Sequence, residues 1–188
     1  MTILRGLPPI CDERAEVLIL GSFPSAASLA AQQYYAHRQN QFWKILGAVL
    51  DLPLLTMDYA AKQAAVKEAG IAIWDVYASC ERVGSLDAAI KNGVANDFDH
   101  LVATAPRLRR VCFNGRTAGR FAPQLAALGL TALILPSTSP ANASWSYAEK
   151  LEAWRRAIED GIVAFHEQRR RQRGTPPHSA GSHRRLDR

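Results

Sequence analysis

Four short apolar runs set the strongest limit on what this chain can become. VLIL at 17–20, GIAIWDV at 70–76, RVCFN at 110–114 and TALILPS at 131–137 have the length and near-continuous hydrophobicity of strands buried on both faces. Helix-like stretches separate them. Phe42, Trp43, Ile45, Leu46, Val49 and Leu50 fall on one broad face, and the Ala- and Lys-rich stretch from Tyr59 stops at Gly70. Thr117 to Leu128 predicts another helix, with a local break at Pro123. Tyr147, Leu151, Trp154, Ile158, Ile162 and Phe165 recur every three or four residues and predict a long amphipathic helix. Strands alternating with helices call for right-handed crossovers and a parallel sheet covered on both faces, an α/β fold. Ligands of such folds bind beyond the carboxyl ends of the strands. The loops to examine are therefore 21–28, 75–82, 114–119 and 136–144.

The chain of 188 residues fits one domain, here 1–165, followed by a basic tail at 166–188. Seven Arg against Glu167 and Asp187 put +5 of the net +6 into that tail, so the body is almost neutral. The tail has almost no apolar residue and is expected to be disordered after a helical start, either holding phosphates non-specifically or only solubilising the chain. No apolar run reaches the roughly 18 residues of a membrane span, and the first residues lack a signal peptide's apolar stretch. Cys11, Cys80 and Cys112 are isolated, with no CxxC spacing, which predicts a reducing compartment and no metal or iron–sulfur site. A cytoplasmic, monomeric protein is expected.

GSFPS at 21–25 gives a tight, stiff exit from the first strand with room for close approach of a ligand, but it is neither GxGxxG nor a P-loop. AQQYYAHRQNQFWK at 31–44 mixes rings and amides: an aromatic could stack on a base, and an amide or imidazole could orient water. Asn40 could equally cap the following helix, and His37 could be a surface residue. Asp75 ends the second apolar run, where a carboxylate must be solvated, paired with Arg82, or used. Cys80 has no activating partner nearby in sequence and reads as a small buried hydrophobe. Asn114 could cap a helix starting near Arg116, and Arg116 and Arg120, one turn apart, could touch phosphate or lie in solvent. In PSTSPANAS at 136–144, two prolines fix a loop bearing Ser137, Thr138, Ser139 and Asn142, short donors suited to phosphate, with Ser144 as a candidate helix cap. There is no paired-carboxylate arrangement, metal cluster or GxSxG elbow in the sequence. An enzyme built this way would suit a substrate needing orientation and charge stabilisation more than a strong nucleophile, as in cleavage of a nucleoside's glycosidic bond.

GSFPSAASLAAQQYYAHRQNQFWKIL, GIAIWDVYASCER, GSLDAAI, FNGRTA and LPSTSPANASWS, in that order, resemble the hypoxanthine-DNA (deoxyinosine) glycosylase family of the uracil-DNA glycosylase superfamily over about residues 15–160. The resemblance implies a three-layer α/β/α fold on a four-stranded parallel sheet, a flipped base entering at the strand ends, no cofactor and no metal. It makes deaminated DNA the partner, hypoxanthine favoured and uracil also acceptable, with an abasic site as product and association with the bacterial nucleoid through DNA. It gives the catalytic amide to Asn40, with His37 in an electrostatic role. Tyr35 takes the place of the ring stacking on the extruded base, and Asp75, with Ser22 and Phe23 of the first loop, tests its edge. Ser25, Ser137, Thr138, Ser139, Pro140 and Asn142 take the places that grip phosphates and enter the DNA. Phe23 stands where mismatch-type uracil glycosylases keep a water-orienting Asn, and the His usual in the second motif is missing. Asp75 stands where an Asn usually reads the pyrimidine, and an acceptor there favours the N1–H of hypoxanthine over uracil O4. A lesion-binding module without turnover, and a free-nucleoside hydrolase, are the other readings.

Overall fold

The computed structural model describes residues 2–162; the expected tail at 166–188, and Phe165 at the end of the expected last helix, lie outside them. The chain forms β1 (Ile3–Arg5), β2 (Val17–Gly21), α1 (Ala26–Ala31), α2 (Phe42–Leu50), α3 (Tyr59–Glu68), β3 (Ile71–Asp75), β4 (Tyr77–Glu81) and β5 (Lys91–Ala95). It continues with α4 (Phe98–Thr104), β6 (Arg110–Asn114), α5 (Arg116–Gly119), α6 (Ala122–Ala127), β7 (Thr131–Leu135) and α7 (Tyr147–Glu159). The four apolar runs become one parallel sheet in the order β3-β2-β6-β7. Side chains alternate across it. Val17, Ile19, Ile71, Ile73 and Cys112 face the core shared with α2 and α7, while Leu18, Leu20, Ala72, Val111 and Phe113 face that shared with α4, α5 and α6. Each large side chain so buried is worth roughly 1.5–3 kcal/mol before entropy is charged against it.

The helices form where the periodicity places them, with local differences. The predicted helix over 117–128 is two short ones, α5 and α6; Pro123 sits in the first turn of α6, where its missing N–H costs nothing, and the break precedes it. Ser146, not Ser144, caps α7, in a reciprocal capping box with Glu149. Trp154 of α7 is fully buried, packs edge-on against Phe42 of α2, and donates its Nε1–H to the Pro136 carbonyl at 3.0 Å. One residue thereby joins the core to the last strand-end loop.

A second, antiparallel sheet in the order β1-β4-β5 has no counterpart in the sequence reading, which took 75–82 for a loop. Every residue of β5 is exposed, so no apolar alternation marks it. Its β4–β5 connection brings residues 84–87 back over the first strand-end loop.

Candidate active site

Parallel register puts two polar side chains, Asp75 and Asn114, at the carboxyl ends of the main sheet's strands. Gly21 pairs with Asp75 at the ends of β2 and β3, and Asn114 pairs with Leu135 at the ends of β6 and β7. Above them lies an open pocket of about 300 Å³. Of the residues singled out in the sequence, Ser22, Phe23, Ser25, Tyr35, His37, Asn40, Asp75, Ser137, Ser139 and Asn142 line it; Pro140 and Thr138 do not.

Asn40 is held by two bonds to one oxygen. Its Oδ1 accepts from the Phe42 N–H at 2.9 Å and from the Thr138 hydroxyl at 2.8 Å. The backbone donor fixes which end of the amide is oxygen, so the NH2 is the end left without a partner among the described residues. Asn40 is not the cap of α2, whose N-cap is Gln41, but the bond from the Phe42 N–H orients its amide without consuming the amide's donors. Behind it, Thr138 N–H donates to Asn114 Oδ1 at 2.9 Å, and Asn114 Nδ2 donates to Thr138 Oγ1 at 2.9 Å and to Tyr35 Oη at 3.2 Å. The direction runs Asn114 to Thr138 to Asn40, each group fixed by the one before. Asn114 thus does not cap α5, whose N-cap is Gly115. Thr138 is fully buried with its hydroxyl engaged, which removes it from the set able to face phosphate.

Tyr35 sits at φ +54°, a backbone conformation costing a bulky residue about 1–2 kcal/mol. Its ring stacks on Phe42 with centroids 3.8 Å apart and 17° between planes, so Phe42 covers one ring face. Burial and then the Asp75 charge push its phenol well above the usual range. His37 is exposed; its Nδ1 accepts from the Gln39 N–H at 3.2 Å, which leaves the Nε2–H as the donor of its neutral ring.

Asp75 is only 4% exposed, and its Oδ2 has no hydrogen-bond partner among the described residues. Burial, then the nearby Asp87 carboxylate, raises its pKa to about 7, with Arg82 opposing. Arg82 does not pair with it: the guanidinium lies over the Phe23 ring at 5.1 Å and donates to the Pro24 carbonyl. Phe23 is buried, 6% exposed, and borders the pocket with the Arg82 guanidinium over its ring.

Gly21 is required by closeness. A Cβ there would overlap Asp75 Oδ1 and come within 3.0 Å of Tyr35 Oη. Gly21→Ala is expected to cost about 1–3 kcal/mol in urea unfolding by displacing one of those side chains; wild-type stability would show that the strand end has slack.

The first loop also starts α1, with Ser25 as N-cap accepting from Ser28 N–H. Ser22 Oγ donates to Asp87 Oδ1 at 2.6 Å, and Ala26 N–H donates to Ser85 Oγ at 2.9 Å. Ser85, Leu86 and Asp87 line the pocket; their stretch, GSLDAAI, counted toward the family resemblance without a site role, and the fold brings them there. The last loop is braced from below. Asn142 Nδ2 donates to the Ser137 carbonyl at 3.1 Å, and buried Lys150 of α7 donates to the Asn142 carbonyl at 2.8 Å. Arg116 and Arg120 are exposed, and Cys80 is buried. Among the described residues no group of three or more His, Cys, Asp or Glu could hold a metal, and no helix is long and apolar enough to cross a membrane.

The parallel sheet thus carries a polar, strand-end pocket between a stiff Gly-Pro loop and a Ser/Pro loop. The sequence model of the uracil DNA glycosylase superfamily matches residues 8–160, and the chain belongs to that superfamily. Within it the chain is a member of the hypoxanthine DNA glycosylase family. It is 42% identical over 144 residues to the hypoxanthine DNA glycosylase of Methanosarcina acetivorans, covering 77% of this chain and 91% of that one. It is 38% identical over 155 residues to that of Methanosarcina barkeri, covering 82% and 98%. The solution NMR structure of a provisionally assigned uracil DNA glycosylase from Methanosarcina acetivorans superposes with a TM-score of 0.77 at 40% identity, covering 85% of this chain and 98% of that one.

Proposed function

We propose that this protein is a monofunctional DNA glycosylase that hydrolyses the N-glycosidic bond of deaminated bases, hypoxanthine ahead of uracil, and leaves an abasic site. The observation that carries this reading is Asn40, its amide oriented by the Phe42 N–H and Thr138, lining the same pocket as a buried, unpaired Asp75. Names borne by the relatives agree with it.

Each group then has a task set by its chemistry. The extruded base lies against the ring of Tyr35, whose other face Phe42 supports. An ionised Asp75 accepts the N1–H of hypoxanthine; against uracil O4 it offers an acceptor to an acceptor. Ser22 and the backbone of the first loop complete the contact with the base edge. The free NH2 of Asn40 donates to a water oxygen, leaving a lone pair of that water to attack C1′ as the glycosidic bond breaks. The base leaves with the bonding pair, and the proton the water loses ends on the released base. His37, through Nε2–H, supplies a donor to charge on the departing base. Ser25, Ser137, Ser139 and Asn142 present short donors to the flanking phosphates, with Pro140 shaping the loop tip.

A lesion-binding module without turnover has one observation in its favour, the apolar Phe23 in the first loop. The two readings separate in one assay. Purified protein, without added metal or cofactor, is incubated with labelled duplexes carrying one deoxyinosine, one deoxyuridine or no lesion, and alkali reveals abasic sites. The expected order is deoxyinosine, then deoxyuridine, then nothing. Deoxyuridine first would overturn the specificity, and binding without cleavage would establish the module.

A further inference from the structure

Of the side chains lining the strand-end pocket, Asp75 and Asp87 are acidic, and no Lys or Arg is among them. Neither carboxylate makes an ion pair among the described residues. Asp75 is more than nine-tenths buried with Oδ2 unpartnered, and Asp87 engages Oδ1 with the Ser22 hydroxyl at 2.6 Å. Arg82 opposes them from behind Phe23, held over that ring and onto the Pro24 carbonyl. Burial first, and then Asp87, hold the Asp75 carboxyl above its usual range, the sign of a negative charge that lacks compensation.

An aromatic ring adjoins the pair. A Cβ on Gly21 would touch both Asp75 Oδ1 and Tyr35 Oη, and the Tyr35 ring is backed by Phe42. A flat cation in this pocket gains twice, from uncompensated carboxylates and from the ring face. A neutral base of the same shape gains neither. We propose that the pocket also takes and excises purines with a fixed positive ring charge, as N7- and N3-alkylated purines in DNA carry, with Asp87 selecting for that charge; the inference rests on the glycosylase reading above.

The bond change suits the same groups. The C1′–N9 bond breaks, its electron pair passes to the ring and cancels the positive charge, and the base leaves neutral. The water held by Asn40 adds to C1′ and loses one proton to solvent. No donor to the departing base is needed.

The test uses the full-length wild type, Asp87→Asn and Asp87→Glu. Each is incubated with a duplex methylated by dimethyl sulfate, carrying N7-methylguanine and N3-methyladenine, and separately with a deoxyinosine duplex. Released bases are quantified by mass spectrometry against protein-free controls. The wild type is expected to release at least one methylated base about 10-fold faster than the control, with no guanine or adenine. Asp87→Asn keeps an oxygen for the Ser22 hydroxyl but loses the charge, so the ratio of methylated-base to hypoxanthine release should fall about 10-fold. Asp87→Glu keeps the charge and should hold the ratio near wild type. A ratio unchanged in Asp87→Asn, both rates falling together, would overturn the proposal by making Asp87 merely structural. Hypoxanthine released with neither methylated base above the control would overturn it from the wild type alone. Methylated bases released without hypoxanthine would uphold it and overturn the preference for deaminated bases. No release of any base would fail the glycosylase reading and this inference with it.

Discussion

Asn40→Ala is expected to lower the single-turnover rate of deoxyinosine excision by about 10²–10³-fold while leaving affinity for uncut lesion DNA within a few-fold. In the proposed mechanism the loss falls on the chemical step, because Asn40 is assigned to the water at C1′ and the phosphates to the loops at 22–25 and 137–142. Alanine also removes the acceptor of the Phe42 N–H and Thr138 hydroxyl bonds, a stability cost of about 1–2 kcal/mol. Asn40→Asp separates the two effects. It keeps an oxygen for both donors and replaces only the free NH2 with a second acceptor. A folded Asn40→Asp with activity as low as the alanine variant would establish that the donor is what the reaction uses. Wild-type activity in Asn40→Asp would mean that the water is held through its protons instead, and wild-type activity in Asn40→Ala would remove Asn40 from the chemistry.

Asp75→Asn should change both specificity and the pH dependence of stability. In the folded chain Asp75 titrates near 7, against an ordinary value of 3.8. Between those values the folded state holds one proton more than the unfolded state. The contribution of Asp75 to stability therefore falls as pH rises from about 4 to about 7 and is flat above. Asparagine does not titrate, so the stability of the variant relative to wild type should be greater at pH 8 than at pH 4 by roughly 2–4 kcal/mol, read by urea unfolding at the two pH values. A difference independent of pH would show that Asp75 titrates like an exposed carboxyl. In the proposed mechanism the same ionisation governs recognition, because only the carboxylate accepts N1–H without competing donation. Excision of deoxyinosine by the wild type should rise with pH through about 7 and then level off. In Asp75→Asn, excision of deoxyinosine should fall about 10–100-fold, the worth of a charged hydrogen bond. Excision of deoxyuridine should hold or rise, since the amide can turn a donor instead of an acceptor toward O4. Unaltered preference would mean that the base edge is read elsewhere.

The main sheet was legible because β2, β3 and β6 are almost wholly buried and so written as apolar runs, while the edge strand β7 keeps an apolar run although Thr131 and Ile134 are exposed. Asp75 stood out for the same reason, as a carboxylate at the end of such a run. The β1-β4-β5 sheet was not legible, since a short outer sheet with β5 wholly exposed leaves no hydrophobic pattern. The amide of Asn40 could be singled out from its neighbours and from the family pattern, but not the network that orients it. Asn114 and Thr138 sit 24 residues apart and meet only across the ends of β6 and β7, so sequence offered Asn114 as a helix cap and Thr138 as a phosphate donor. The pairing of Asp75 with Arg82, plausible at seven residues, fails because the guanidinium is drawn over Phe23 and onto the Pro24 carbonyl. Leu86 and Asp87 belong to the pocket through a chain reversal that no local signal announces.

The proposed reaction is hydrolysis by a held water, with no covalent step. The most direct measurement is the product of deoxyinosine duplex turned over in H2¹⁸O, with the base quantified and the DNA strand weighed by mass spectrometry. The account predicts free hypoxanthine, an uncut strand bearing one ¹⁸O at the abasic sugar, and no protein–DNA adduct on borohydride treatment. A borohydride-trapped adduct, or folded protein that releases no base from any deaminated duplex, would contradict it.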